Sequence, residues 1–403
     1  MQRKPGENTR AVHLPDPPQP VERAVGQAVW RSATFEFDDA QSYADVLGDR
    51  RRGYSYSRID NPTVDAFAAG VAALEGANLD HEVRGQAFAS GMAAITGALM
   101  ALTRQGAHVV ASNALYGGTY SLLNGLLARF GVETDFVDIT DLDQVRSAMR
   151  PTTAVVYAET LANPTMVVAD LPELAEIAHD AGARLVVDST FASPVVCRPL
   201  EHGADLVIHS ATKYIGGHSD VTGGVVAGRQ ELVDTIRAVR VDTGGSLAPD
   251  DAFLLRRGLE TLPLRVRRQN ATAMVYAATI ARHAGVTRVD YPGLTEHPGH
   301  DVARRLFDSG PEGTRFGAIV TVTPEGGYDA GMRFADGLGL VKVAASLGGT
   351  HTMVSHVAST THRQLDETQL KAAGIDPGAV RISVGLEDAE DLIADTLRSL
   401  DQI

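Results

Sequence analysis

Leu171–Phe191 reads LPELAEIAHDAGARLVVDSTF, and two hydrophobic periods meet inside it. In the first half a proline at the helix start, Leu174, Ile177 and Ala181 on one face, and the stop at Gly182 predict an amphipathic helix. RLVVD then runs apolar without alternation, which is how a strand covered on both faces reads. Asp188 falls at the carboxyl end of that strand, the edge of an open α/β sheet where ligands bind.

The same grammar extends from Arg84 to Gly228. GMAAITGALMALTRQG spaces Met92, Ile95, Leu99 and Leu102 as a helix, with Ser90 opening it and Gly106 closing it, and HVVAS follows as a strand. ADLVIHS is a further strand that delivers Ser210, Thr212 and Lys213, and GGVVAG is the next. Alternating strands and helices predict an α/β fold with a mostly parallel central sheet. After about Asp250 the rhythm changes. A long helical stretch interrupted by Pro263 leads into RFGAIVTVTPE, LVKVAASL and AVRISVGLED, which predict a smaller C-terminal α+β domain ending in a helix. The expected division is an N-terminal arm over 1–55, a first domain over 56–250 and a second over 251–403.

The chain has 403 residues, 44% hydrophobic and 21% charged, with a net charge of -14. That length suits two domains, and that charge disfavours nucleic acid or a polybasic membrane contact. An anionic ligand must therefore be held by local design. Cys197 is the single cysteine, so no intrachain disulfide forms, and it reads as a buried small hydrophobe in a reducing compartment. MQRKPGENTRAVHLPDPPQP lacks an apolar signal core and reads as a flexible arm, so a cytoplasmic location is expected.

Lys213 follows a buried strand and two hydroxyls and precedes paired glycines, where backbone can approach a ligand. A lysine in a partly apolar pocket loses basicity and can form a Schiff base with an aldehyde. Pyridoxal 5'-phosphate (PLP) is the obvious aldehyde, and its other demands can be sought in the text. Its pyridine nitrogen wants a carboxylate, for which Asp188 is placed. Its phosphate wants hydroxyls and a helix N-terminus, supplied by Ser210, Thr212 and the Ser90–Gly91–Met92 turn. Its ring wants a stacking partner, and Tyr116 lies just past HVVAS.

With these pieces assembled, the chain resembles the Cys/Met-metabolism group of PLP-dependent enzymes, the trans-sulfuration enzymes. The resemblance runs from about Val29 to the C-terminus through YSYSRIDNPT, FASGMAAI, LYGGTY, ETLANP, VVDSTF, HSATKYIGGHSD, SLGGTHTMVSHVASTTH and VRISVGLED. It implies the aspartate-aminotransferase-like fold (fold type I), with Lys213 as the Schiff-base lysine, Asp188 as the pyridinium partner and Tyr116 as the stacking ring and proton donor. It also implies a phosphate cup of Gly91, Met92, Ser210 and Thr212, completed by Tyr56 and Arg58 from a neighbouring subunit. Asn163 would meet the cofactor's 3'-oxygen, and Arg381, with Ser346 beside it, would clamp the substrate carboxylate. The assembly implied is a homotetramer built as a dimer of dimers.

Within the group, members that handle cystathionine carry charges where this chain has Ser55, Ser121 and Ala345. Leaving that substrate's charged end unpartnered disfavours it by about 2 kcal/mol. An uncharged pocket points to γ-elimination on a sulfur-containing amino acid in the manner of the methionine γ-lyases. Gly118, where those enzymes commonly have cysteine, leaves open γ-replacement as in O-acetylhomoserine sulfhydrylases, or γ-elimination on an unusual amino acid. His351, His356 and His362 lack acidic or cysteine ligands at metal spacing, so no metal site is expected.

Overall fold

The computed structural model describes residues 24–48, 50–363, 368, 370 and 374–403; the proline-marked arm over 1–20 lies outside them. Seven strands form one sheet: β1 Arg84–Phe88, β2 His108–Ser112, β3 Glu133–Val137, β4 Thr153–Glu159, β5 Arg184–Asp188, β6 Leu206–His209 and β7 Gly224–Gly228. Their order is β1-β7-β6-β5-β4-β2-β3. The neighbours from β6 through β3 run parallel, whereas β7 is antiparallel to both of its partners. A parallel return needs a crossover, usually a helix, but residues 210–223 form turns and bends instead, so β7 comes back antiparallel.

Both faces of the sheet are dry. Val156, Ala158, Leu185 and Val187 join one hydrophobic cluster, and Val155, Tyr157 and Val186 join another on the opposite face. That is why these strands read as unbroken apolar runs. The Leu171–Asp180 helix buries Leu171, Leu174, Ala175, Ile177 and Ala178. Ala181, expected on that face, is instead the exposed C-cap residue. Ser90 caps the Gly91–Leu102 helix by accepting from Ala93 N–H at 3.1 Å, a contact worth about 1 kcal/mol. That helix stops at Thr103, whose hydroxyl donates to Leu99 O, and Gly106 lies beyond it in a left-handed turn at φ +83°.

Pro263 does not interrupt the long helix, which is continuous over Pro249–Ile280. An internal proline costs about 3 kcal/mol. Fully burying each of Leu255, Leu259, Leu262 and Val266 stabilises by about 1.5–3 kcal/mol, so packing outweighs the break. The second sheet has the spatial order Lys342–Val343, Met353–His356, Val380–Ser383, Ile319–Pro324, Val286–Asp290. LVKVAASL contributes only Lys342–Val343, because the chain turns at Ser346, which has φ +82°. One hydrophobic cluster runs from Val64 to Leu400 and joins residues of both sheets. No helix among the described residues is long and apolar enough to cross a membrane.

Candidate active site

Two glycines bring the pieces of the site together at the strand ends. A Cβ on Gly91 would lie 2.6 Å from Ser210 Cβ, and one on Gly224 would lie 2.2 Å from Ser90 O. The helix N-terminus at Ser90–Met92 is thereby pressed against the turn that follows β6. In that turn Ser210 N–H donates to Thr190 Oγ1 at 2.8 Å, and Thr212 Oγ1 accepts from Gly223 N–H at 3.0 Å. Gly91 and Met92 thus begin a helix packed against the turn that carries Ser210 and Thr212, the four residues that the sequence reading assigns to an anion cup.

Lys213 is partly buried, and its Nζ donates to Ser346 Oγ at 2.8 Å. Burial, with the Arg381 charge adding to it, lowers its pKa to about 8. Arg381 lies in the strand Val380–Ser383 between Thr321 and Ser355. It is 4% exposed, donating from Nη1 to Asn163 Oδ1 at 2.9 Å and from Nη2 to Ser346 O at 3.1 Å. Its Nε has no hydrogen-bond partner, and no carboxylate pairs with it among the described residues. Burial alone is the largest influence on it and lowers its pKa to about 10. A buried guanidinium without an anion is costly unless a ligand supplies one.

Asp188 presents the converse problem. It is 8% exposed and accepts from Thr190 N–H at 2.9 Å, but no lysine or arginine pairs with it among the described residues. Burial pushes its pKa up, against the hydrogen bonds from Thr190. Its register partner at the end of β4 is Glu159, also buried, whose carboxyl is pushed up by burial and then by Asp188, against the backbone hydrogen bonds from Tyr116 and Asn163. Glu159 accepts from Tyr116 N–H at 2.6 Å and from Asn163 N–H at 3.1 Å. The Tyr116 side chain is 45% exposed, so it is not a core aromatic. A Cβ on Gly118 would lie 2.5 Å from Tyr116 Cε1 and 3.0 Å from Met92 Sδ, which places that ring directly against residue 118.

Lys213, Ser346, Arg381, Asn163 and Tyr116 are therefore linked in one chain, with Asp188 beside Glu159. Tyr56, Arg58 and Ser55 are elsewhere. Ser55 and Tyr56 line a groove of about 440 Å³ with Thr34, Phe35 and Phe37. Arg58 donates to Val241 O at 2.7 Å and lies 5.7 Å above the Tyr56 ring. Ser121 and Ala345 are exposed, and neither they nor Ser55 brings a charge. His356 is buried edge-on to Tyr328 at 4.7 Å, His362 is buried and His351 is exposed. No group of three or more His, Cys, Asp or Glu among the described residues could hold a metal ion.

Sequence reasoning missed Glu159 and Thr190 as individual residues. The signal for Glu159 was available: an acid ending the mostly buried strand TAVVYAE must find donors.

The residues present suit PLP. Among the described residues Asp188 has no lysine or arginine partner and the Arg381 guanidinium has no carboxylate partner, while Lys213 has lost basicity. The family model described as Cys/Met metabolism PLP-dependent enzyme matches residues 8–401. The chain is 42% identical to an L-methionine gamma-lyase from Pseudomonas putida, over 98% of this chain and 97% of that protein. It is 40% identical to an O-succinylhomoserine sulfhydrylase from Pseudomonas aeruginosa, over 93% and 90% respectively. Among solved structures, a Campylobacter jejuni chain holding N'-pyridoxyl-lysine-5'-monophosphate superposes with a TM-score of 0.88 at 31% identity, over 95% of this chain and 96% of that one.

Proposed function

Because the chain belongs to the Cys/Met metabolism PLP-dependent enzyme family, we propose that it catalyses γ-elimination on a sulfur-containing amino acid. L-methionine is the substrate that fits best, with water converting it to 2-oxobutyrate, ammonia and methanethiol. The observation that carries this reading is the pair of cationic groups on Ser346: the Lys213 amine on its hydroxyl, and on its carbonyl the Arg381 guanidinium, which has no carboxylate partner among the described residues.

When bound, PLP supplies an aldehyde for an amine and a ring that accepts electrons from the substrate's α-carbon. Lys213 would carry that aldehyde, Asp188 would face the pyridine nitrogen, and Asn163 would meet the 3'-oxygen. Gly91, Met92, Ser210 and Thr212 would hold the phosphate. Arg381 binds the substrate carboxylate, with Asn163 and Ser346 fixing the guanidinium plane. Freed from the aldehyde by the substrate amine, the Lys213 amine would take the α-proton, hand that proton on, and as a free base again take a β-proton. Its pKa of about 8 leaves an appreciable free-base fraction near neutrality. Tyr116, exposed at the mouth of the site, donates a proton to the departing sulfur as the Cγ–S bond breaks.

Ser55, Ser121 and Ala345 bring no charge to the far end of the substrate, which suits a small apolar thiol leaving group. Gly118 and the sulfhydrylase relative favour a second reading, γ-replacement, in which a thiol adds at the γ-carbon of an activated homoserine. Tyr56 and Arg58, outside the Lys213 chain of contacts, are proposed to act on the phosphate of a second subunit in a dimer, two dimers making a tetramer. Cys197, buried and free, suits the reducing cytoplasm we propose as its location.

The deciding experiment incubates the purified enzyme with methionine, with cystathionine, and with O-acetylhomoserine plus sulfide, and measures 2-oxobutyrate and thiol products. Fast 2-oxobutyrate release from methionine is expected; slow methionine turnover beside rapid replacement would overturn the elimination reading.

A further inference from the structure

A carboxylate at the end of a buried strand, next to another buried carboxylate, is an expensive arrangement, so what Glu159 does there needs a reason. Its register partner is Asp188, a like charge. It forms no salt bridge among the described residues. Each of its oxygens accepts one backbone N–H, Oε1 from Tyr116 and Oε2 from Asn163. These donors belong to different connections, one after β2 and one after β4, and each carries a side chain of the candidate site. From Asn163 the contacts continue to Arg381, from Arg381 to Ser346 O, and from Ser346 Oγ to Lys213 Nζ. A single string of hydrogen bonds therefore runs from the Tyr116 backbone to the Lys213 amine, and Glu159 is the member that joins its two halves.

We propose that Glu159 is a positioning residue, one buried carboxylate that sets the Tyr116 ring and the Asn163–Arg381 pair relative to each other for cofactor and substrate. Only a carboxylate serves both donors. A glutamine of the same shape offers one oxygen and turns an N–H₂ group against the other backbone N–H. Aspartate keeps two acceptors but reaches one methylene less far. The inference rests on the cofactor reading given above.

The test uses apoprotein stripped of cofactor and titrated with PLP, following the visible absorbance and visible circular dichroism of the bound cofactor. Melting temperature and KM for methionine are measured alongside. Glu159→Gln is expected to weaken cofactor binding about tenfold, in line with loss of a charge-assisted hydrogen bond. It should also reduce the visible circular dichroism by half or more and raise KM, because the Arg381 end of the string is released. Glu159→Asp is expected to recover part of each signal, and it carries the test alone if the glutamine variant does not fold. A Glu159→Gln protein that folds and matches wild type in affinity, circular dichroism and KM would overturn the inference while leaving the cofactor reading intact. Wild-type protein that takes up no PLP would sink the cofactor reading itself, and this inference with it.

Discussion

The Lys213 cluster and the Tyr56–Arg58 segment are both made of polar residues that the sequence assigns to one cofactor, yet they are built differently. In the first, each group is held by another member: Lys213 on Ser346, Arg381 on Asn163, Tyr116 and Asn163 on Glu159. In the second, the turn is held from behind, but neither Tyr56 nor Arg58 joins the contacts around Lys213. Arg240, 2% exposed, donates to Arg58 O at 3.0 Å and to Asp60 at 3.1 Å, fixing the turn from behind. Tyr56 itself is 42% exposed beside an open groove. On the proposed reading, the cluster tied inward would serve its own chain and the turn carrying Tyr56 and Arg58 would serve another.

Complementation between inactive variants tests that distinction most severely. Lys213→Ala should remove the visible cofactor band and lower turnover about 10³-fold or more. Arg381→Leu should lower kcat/KM about 100-fold, mostly through KM, since a buried charge loses its role in binding. Mixing these two variants should restore nothing, because both residues serve the same site from the same chain; recovered activity would break the comparison.

Arg58→Ala should weaken cofactor binding about tenfold, measured by titration of the apoprotein. Hybrids of Arg58→Ala with Tyr116→Phe should regain activity, since one of two shared sites would then be wholly wild type. Absence of recovery would remove the trans assignment. Arg240→Met should destabilise the fold by about 2 kcal/mol in denaturant titration, by leaving the Arg58 and Ile59 carbonyls without their donor.

The strands β2, β5 and β6 and the turn carrying Lys213 were legible because burial on both faces and glycine–hydroxyl turns leave marks in consecutive residues. What was not legible depended on partners distant in sequence. GGVVAG has no feature that shows its direction, and β7 returns antiparallel because 210–223 is occupied by the turn carrying Lys213. Pro263 reads locally as a helix break and is overruled by the core around Leu259 and Val266. Glu159 stands in plain view in ETLANP, but its donors Tyr116 and Asn163 are joined only by the fold.

Gly118 bears on how this site could diverge. Any side chain there needs the Tyr116 ring to vacate its place, since even a methyl carbon would stand 2.5 Å from Cε1. Substitutions at 118 and rotamers at 116 are thus epistatic. A lineage acquiring cysteine at 118 would also displace the ring proposed here as the proton donor, so a change in the pocket wall and a change in that ring's position would be inherited together.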